Sequence, residues 1–275
     1  MTTTANPPPA ALLPTSLPLA TRSTGDGIKA FPAVLKSEWI KLSTLRANRA
    51  ILALAVLVGG FVSWAVATLI TDEVLVVSEV FTYSTVLTAV FAAVAGILLF
   101  TSEAQHGTLA AALTAQPARW VIAAAKTITA ATVGLVLGAA GLATAFAGAV
   151  VGGLDLGDTA SMPATTLWAL LFTSLAALFG LGVGMIVRHG SGAISGLLVW
   201  WLVVENMLTL FMPARITRFL PFFAGNGLLA IDSDTATPAS IAVALTRPEN
   251  AAVFGGYAVV ALVVGTVLLY RRDSN

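Results

Sequence analysis

Six long apolar runs constrain the fold of this 275-residue chain more than any other feature of its sequence. A helix of roughly 20 apolar residues crosses the hydrocarbon core of a bilayer, which is about 30 Å thick. The runs are continuous rather than alternating, which favours helices over membrane strands. We predict membrane-spanning helices over about Ala50–Ile70, Tyr83–Phe100, Ile128–Val151, Thr166–Val187, Ser191–Phe211 and Ala251–Tyr270.

The composition agrees with a membrane protein. Only 10% of the residues are charged and 57% are hydrophobic, whereas soluble domains carry about 25% charged residues. The predicted fold class is therefore an all-α polytopic membrane protein. The absence of cysteine excludes disulfides, thiolate metal sites and thiol nucleophiles. A net charge of +1 gives no argument for nucleic-acid binding, and we expect no nucleic-acid partner.

The first residues of the chain differ from the rest. They are rich in Pro, Thr and Ser and lack a charged start before an apolar core, which argues against a secretory signal. We predict a disordered tail over residues 1–28 and a membrane domain over residues 29–275.

Basic residues indicate the orientation of the spans. Of 14 Lys and Arg residues, 11 fall on the side of the membrane that holds both termini. The other three, Arg215, Arg218 and Arg247, all lie in the longest opposite connection. By the positive-inside rule, both termini are cytoplasmic. We expect a multi-pass protein of the cell (plasma) membrane.

The segment before the first span is predicted to form an amphipathic helix. At 100° per residue, one arc holds apolar side chains and the rest carries basic and hydroxyl groups. Such a helix suits the inner headgroup layer, where membrane lipid would be its partner. The alternative is a helix packed on the protein's own cytoplasmic face. The apolar arc consists of Phe31, Val34, Leu35, Trp39, Leu42 and Leu45.

The order of these elements resembles that of type 2 ABC transporter permeases, the membrane subunits of ABC exporters. The resemblance covers the chain from Phe31 onward and is carried by Leu35–Arg46, Ser102–Lys126 and Leu202–Leu229. The second segment is the most specific, although it has less charge after Gly-Thr than is usual in the family. Its matching residues are Glu103, Gly107, Thr108, Pro117, Arg119 and Lys126.

The family resemblance implies a cytoplasmic coupling helix between spans two and three that docks onto an ATPase subunit. In this sequence, Leu109 and Leu113 are spaced i, i+4 and share one helix face, which would suit a partner's groove. The alternative is an ordinary polar connection with both leucines on lipid. The residues expected to dock are Glu103, His106, Gly107, Thr108, Leu109 and Leu113.

The chain cannot supply its own energy. A P-loop ends in Gly-Lys-Ser/Thr, but the four lysines here follow Ile, Leu, Ile and Ala. The resemblance implies no cofactor on this chain, with ATP and Mg on two copies of a separate ATPase. It also implies a second permease subunit, as a homodimer or a pair with a similar permease.

These observations predict a transport subunit rather than an enzyme. By resemblance it exports a hydrophobic or amphipathic substrate, such as a drug in multidrug efflux, an antibiotic or a lipid, by alternating access. One alternative is a membrane anchor or assembly factor that binds an ATPase without transport. Another is an intramembrane enzyme, but catalytic motifs such as His-Glu-x-x-His and Gly-x-Ser-x-Gly are missing from the sequence.

Glu205 is the one ionisable residue well inside a predicted span. An acidic side chain there costs about 2.5–3.5 kcal/mol on insertion scales, which points to function or to a polar partner. With Trp201 one turn earlier and Asn206 adjacent, it could contact an organic cation in a translocation path. The alternative is a protonated Glu hydrogen-bonded between helices.

The remaining features are interpreted as structural. The small-xxx-small pairs Gly134/Gly138 and Gly180/Gly184 would allow close helix packing. His106 and His189 lack a second ligand at metal spacing, so we expect solvated or capping roles for both, beside the docking role proposed for His106.

Overall fold

The computed structural model describes residues 24–44, 46–70, 74–115, 118–229 and 241–272, and within these ranges the regular structure is helical. A π-helical segment, Trp200–Val204, joins α8 to α9. In chain order the α-helices are α1 (Thr24–Thr44), α2 (Arg46–Leu69), α3 (Val77–Val80), α4 (Thr85–Gln105), α5 (Thr108–Ala115), α6 (Arg119–Val151), α7 (Met162–Val187), α8 (Gly190–Val199), α9 (Glu205–Phe211), α10 (Ala214–Thr217), α11 (Pro221–Gly227) and α12 (Arg247–Arg272).

Six helical segments are long and apolar enough to cross a membrane. They are α2, α3 with α4, α6, α7, α8 with α9, and α12. The prediction of an all-α, multi-pass membrane protein is therefore confirmed. The largest difference concerns the third span, which begins at Arg119 rather than near Ile128. Lys126 lies within this helix, and ion pairs with Glu38 and Glu103 allow its charge to be buried there.

Helices α4 and α7 form the centre of the bundle, and their glycines allow the closest contacts. A Cβ atom at Gly180 would collide with the backbone of Ala93, and one at Gly96 would collide with Ala177. The two helices therefore approach backbone to backbone, as small residues permit in membranes. The predicted packing role is confirmed for both glycine pairs, since a Cβ would also clash at Gly134, Gly138 and Gly184.

An aromatic cluster joins the last two spans to α7. The rings of Trp201 and Phe222 are stacked, with centroids 3.8 Å apart and an interplanar angle of 8°. Phe254 of α12 lies 5.6 Å from Phe222 and 5.6 Å from Phe172 of α7. Trp201, Phe222, Phe254 and Phe172 are all buried, so this cluster fixes α11 against the bundle.

One end of the bundle, here called the basic end, gathers α1, the end of α4, the start of α6 and the end of α12. The guanidinium of Arg119 donates hydrogen bonds to the carbonyls of Leu269 and Tyr270, which ties α6 to α12. Gly27 of α1 packs beside Trp120 of α6. The segments that carry most of the basic residues thus meet at one end.

The opposite end holds the described parts of the connections from α2 to α3, from α6 to α7 and from α9 to α12. The backbone N–H of Val77 donates to the carbonyl of Asp155 at 2.8 Å, which joins the loops after α2 and α6. Two short helices, α10 and α11, precede the last span. Arg218 lies between them and donates to the carbonyl of Val243 at 3.0 Å.

Helix α1 begins at Thr24, within the tail predicted to be disordered, and residues 1–23 lie outside the described part of the chain. Phe31, Val34 and Leu35 of the predicted apolar arc are partly buried, and α1 packs along α6. Trp39 is 53% exposed, and Leu45 is outside the described residues. The helix therefore packs on the protein through one side and leaves Trp39 on its surface.

Candidate functional site

A sharp turn at the basic end separates α4 from α5. The His106 N–H donates to the Ser102 carbonyl at 3.1 Å and continues the helical pattern. His106 Nδ1 lies 2.6 Å from the same carbonyl oxygen. Gly107 then adopts a φ of +72°, a left-handed conformation that glycine takes without Cβ strain and that commonly ends a helix. The helix predicted between spans two and three is present as α5.

The two leucines of α5 face the protein rather than an open groove. Leu109 is 6% exposed and belongs to a core cluster with Phe100, Met185 and Leu269. Leu113 is partly buried against the same cluster. The apolar face expected to enter a partner's groove is therefore turned inward, because the spans themselves supply apolar side chains to cover it.

The exposed side of this region is small and polar. It consists of the turn and the outer positions of α5 and is called the α5 surface below. Of the predicted docking residues, His106, Gly107 and Thr108 belong to it, whereas Glu103 and Leu109 are buried. Pro117 lies outside the described residues. The α5 surface comprises Gln105, His106, Gly107, Thr108, Ala111 and Thr114.

Directly beside the α5 surface, four charged side chains from three helices form what we call the four-charge cluster. Glu38 and Lys41 come from α1, Glu103 from the last turn of α4, and Lys126 from α6. Lys126 Nζ lies 3.1 Å from Glu38 Oε2 and 2.9 Å from Glu103 Oε1. Lys41 Nζ lies 2.8 Å from Glu38 Oε1 and 2.8 Å from Glu103 Oε1. Each base therefore bridges both acids.

Burial makes the four-charge cluster energetically important. The side chain of Lys126 is 1% exposed, and its ammonium donates a third hydrogen bond, to the Leu99 carbonyl at 3.1 Å. A buried charge is tolerated only when paired and hydrogen-bonded. Each pair joins different helices except Lys41 with Glu38, so the cluster connects α1, α4 and α6.

Lys41 is the most exposed member of the cluster, with 39% of its side chain accessible. Burial opposes its charge, but hydrogen bonds to Glu103 and Glu38 outweigh this and raise the pKa of Lys41 above its ordinary value. The ammonium form is therefore favoured in the folded protein.

The sequence reasoning missed Glu38 and Lys41 as site residues. Their spacing of three residues on a predicted helix was visible, and so was Lys126 within an apolar run. These charged residues all lie near the membrane surface that was predicted to be cytoplasmic, and their common position was the one sequence signal for the cluster. Their pairing depended on how α1 packs on α6, which no local pattern specifies.

Glu205 lies at the junction between the π-helical segment and α9, where it caps α11. Its Oε1 accepts hydrogen bonds from the backbone N–H of Phe222 at 3.0 Å and from Trp200 Nε1 at 3.0 Å. Its Oε2 accepts from the N–H of Phe223 at 2.9 Å. The N–H groups of Phe222 and Phe223 belong to the first turn of α11, which begins with Pro221. Backbone donors in the first turn of a helix have no partner within that helix.

The geometry favours the structural alternative for Glu205 over a cation site. Glu205 is 4% exposed, and its three hydrogen-bond donors are all N–H groups of the protein itself, from Trp200, Phe222 and Phe223. Trp201 does not face the carboxylate as a cation platform but stacks on Phe222. Asn206 donates to the carbonyls of Trp201 and Leu202 within its own helix. Trp200, which the sequence reasoning overlooked, is the indole partner.

His189 has the expected capping role. Its Nδ1 accepts a hydrogen bond from the Gly192 N–H at 3.2 Å at the start of α8. Within the described residues, no group of three or more His, Cys, Asp or Glu side chains could hold a metal ion.

No protein-family model matches the chain, and no curated protein matches its sequence significantly.

Proposed function

We propose that this chain is the membrane subunit of an ATP-driven exporter and that a separate ATPase acts on its basic end. The observation that supports this most directly is the four-charge cluster beside the α5 surface. It connects an exposed, polar surface to three helices through buried ion pairs. Force applied to such a surface would reach the spans rather than bend a loose connection.

The connection between α5 and the bundle has two parts. Leu109 anchors α5 in the core formed by α4, α7 and α12, and Thr108 Oγ1 lies 3.4 Å from the Glu103 carbonyl. Glu103 in turn pairs with Lys126 of α6. Because packed cores transmit displacement with little compression, a shift of α5 would move the ends of α4 and α6 together.

The chemistry of the α5 surface limits what can bind there. Its six residues carry no carboxylate and no Lys or Arg, so a partner would rely on hydrogen bonds and close packing rather than on ion pairs. Small residues such as Gly107 and Ala111 allow the backbone of a partner to approach. This suits a soluble ATPase subunit with a complementary groove.

The remaining parts of the proposal follow from charge and from the family resemblance. By the positive-inside rule, the basic end would face the cytoplasm. The membrane that holds the protein would be the plasma membrane. Two permease copies, as a homodimer or with a similar permease, would form one pathway above two ATPases that bind ATP and Mg. The substrate would be hydrophobic or amphipathic.

The test uses the α5 surface directly. The chain is co-expressed with a candidate ABC ATPase from the same genome, purified, and reconstituted into vesicles. We expect ATP-dependent flux of an amphipathic reporter dye and co-purification of the ATPase. Ala111→Asp places a charge on the α5 surface and should reduce co-purification at least about tenfold, since an unpaired charge in an interface costs several kcal/mol.

Ala47→Asp is the matched control, because Ala47 is also an exposed alanine at the basic end but lies outside the α5 surface. It should leave co-purification unchanged. Equal binding of the ATPase by the wild type and by Ala111→Asp would overturn the docking role of α5. Normal binding without flux of any reporter would instead favour a membrane anchor or assembly factor.

A further inference from the structure

A cavity of about 370 Å³ opens beside the four-charge cluster, between α1, α2, α4 and α6. This volume is within the range of small-ligand pockets, about 300–1,000 Å³. Its walls are mainly aliphatic, and its polar groups are few. The lining residues of the cavity are Trp39, Leu42, Asn48, Arg49, Ile51, Leu52, Ala95, Thr132, Val133, Val136 and Leu137.

The polar groups of the cavity lie mostly at one edge. Asn48 and Arg49 occupy the first turn of α2, and the Asn48 amide donates to the Leu42 carbonyl of α1 at 3.3 Å. Thr132, deeper in the cavity, is satisfied by its own helix through the Ile128 carbonyl. The cavity therefore has a cationic, polar rim and an apolar interior.

The inner end of the cavity lies near the middle of the bilayer. Leu137 lies three helical turns beyond Lys126 along α6, which is about 16 Å at 1.5 Å per residue. Half of the hydrocarbon core is about 15 Å thick. The cavity thus extends from the headgroup level at the basic end toward the middle of the membrane.

We propose that this cavity is a binding site for an anionic phospholipid of the leaflet at the basic end, with its phosphate at Arg49 and one acyl chain between α2 and α6. Arginine recognises phosphate through paired N–H donors. Trp39 at the rim is suited to the glycerol level, where aromatic side chains collect. Aliphatic walls formed by Ile51, Val133 and Val136 match an acyl chain.

Charge decides between an anionic and a neutral lipid. Arg49 lies on the rim and Arg46 lies at the start of the same helix, and a basic residue near a membrane surface favours anionic headgroups. A bound lipid would contact α1 and the spans together, and would therefore stabilise α1 on the bundle by binding the folded state.

The experiment needs neither ATPase nor transport, so its outcome is independent of the proposed function. The purified chain is placed in nanodiscs that contain trace phosphatidylglycerol or phosphatidylcholine with a photoactivatable acyl chain. After irradiation, labelled peptides are mapped by mass spectrometry. We expect phosphatidylglycerol to label the start of α2 and the middle of α6, about fivefold more than phosphatidylcholine.

Two matched pairs of variants test the site. Val136→Trp fills the cavity and should abolish this labelling, whereas Val150→Trp should not, since Val150 is similarly exposed on α6, 44% against 46%, but is remote from the cavity. Arg49→Gln should remove the preference for phosphatidylglycerol, whereas Arg46→Gln, outside the cavity lining, should preserve most of it.

Labelling at the cavity that does not distinguish the two lipids would overturn the proposal, as would labelling that Val136→Trp leaves intact. Labelling spread evenly over the exposed apolar helices would show an ordinary lipid annulus and would also overturn it. Thermal unfolding of each variant in detergent confirms that the variants are folded.

Discussion

Lys126→Met is the substitution that most directly tests the four-charge cluster. It preserves an unbranched side chain of similar length but removes the ammonium group that bridges α1 and α4. The ammonium makes three contacts, to Glu38 Oε2 at 3.1 Å, to Glu103 Oε1 at 2.9 Å and to the Leu99 carbonyl at 3.1 Å. All three partners would lose a donor at once.

The expected cost follows from these distances. Glu38 Oε2 and Glu103 Oε1 both contact Lys126 Nζ, so these two oxygens are at most about 6 Å apart. Two unit negative charges at about that distance repel by about 3 kcal/mol at an effective dielectric constant of 20. Breaking a buried pair by removing one partner costs about 3–5 kcal/mol. Because Lys41 still bridges both acids, we expect a loss of about 3 kcal/mol.

The assay is thermal unfolding of the purified chain in nanodiscs. A loss of about 3 kcal/mol corresponds to roughly 6–12 °C in Tm for a chain of this size class. The control is a triple variant that adds Glu38→Gln and Glu103→Gln to Lys126→Met. It removes the unpaired negative charges and leaves Lys41 as the one charged member of the cluster, with 39% of its side chain accessible to solvent. The triple variant should recover most of the loss, since replacing buried ion pairs by neutral groups is often nearly neutral.

Two results would refute this reasoning. One is a Tm for Lys126→Met that differs from the wild-type Tm by less than about 2 °C, since breaking a buried ion pair should lower the Tm by more than this. The other is a triple variant no more stable than Lys126→Met alone, which would show that the lost stability comes from packing of the lysine stem and not from charge.

Three further predictions concern other parts of the molecule. The raised pKa of Lys41 means that its contribution to stability is complete below the unfolded pKa of about 10.4 and is lost as pH rises through the higher folded pKa. Thermal unfolding measured from pH 9 to 11.5 should therefore show a fall in Tm, and this fall should be smaller in Lys41→Met. Glu205→Gln should destabilise the chain by about 1–3 kcal/mol, because an amide cannot accept all three hydrogen bonds. Trp200→Phe, which removes only one of the three donors, should cost less. A Glu205→Gln variant that loses transport at normal protein level and normal Tm would contradict the structural role. Gly180→Ala should cost about 1–3 kcal/mol by overpacking against α4. Gly256→Ala, with open space around its Cβ position, should be neutral or stabilising. Equal Tm values for the two variants would count against the close contact between α4 and α7.

The spans were predictable because their signal is local. A continuous apolar run specifies a helix in lipid regardless of which neighbour it meets, since every backbone group must be bonded within the segment. The glycine pairs on α6 and α7 were predictable for a similar reason, because a small residue at every fourth position leaves a shallow groove along one helix face.

The details of the candidate site depended on tertiary packing and were not predictable in the same way. The i, i+4 spacing of Leu109 and Leu113 identified an apolar face correctly, but a face alone does not reveal whether a partner or the protein's own core covers it. Glu205 was recognised as exceptional, yet its partners are backbone N–H groups of Phe222 and Phe223, 17 and 18 residues away. Any residue type except proline could supply those donors, so no side-chain pattern marks them.

Lys41→Met separates the mechanical proposal from stability. The substitution removes the direct link between α1 and α4 through Glu103, but the more deeply buried pairs of Lys126 with Glu38 and Glu103 are preserved. Because Lys41 is partly exposed, its loss should cost only about 1 kcal/mol, and the chain should remain folded with an unchanged α5 surface. If displacement of α5 is passed through the four-charge cluster, Lys41→Met should bind the ATPase normally yet transport fewer substrate molecules per ATP hydrolysed. Lys36→Met, at an exposed lysine of the same helix outside the cluster, is the control and should retain the wild-type ratio. An unchanged ratio in both variants would mean that α1 takes no part in coupling and that the link from α5 to the spans runs through α4 and α6 alone.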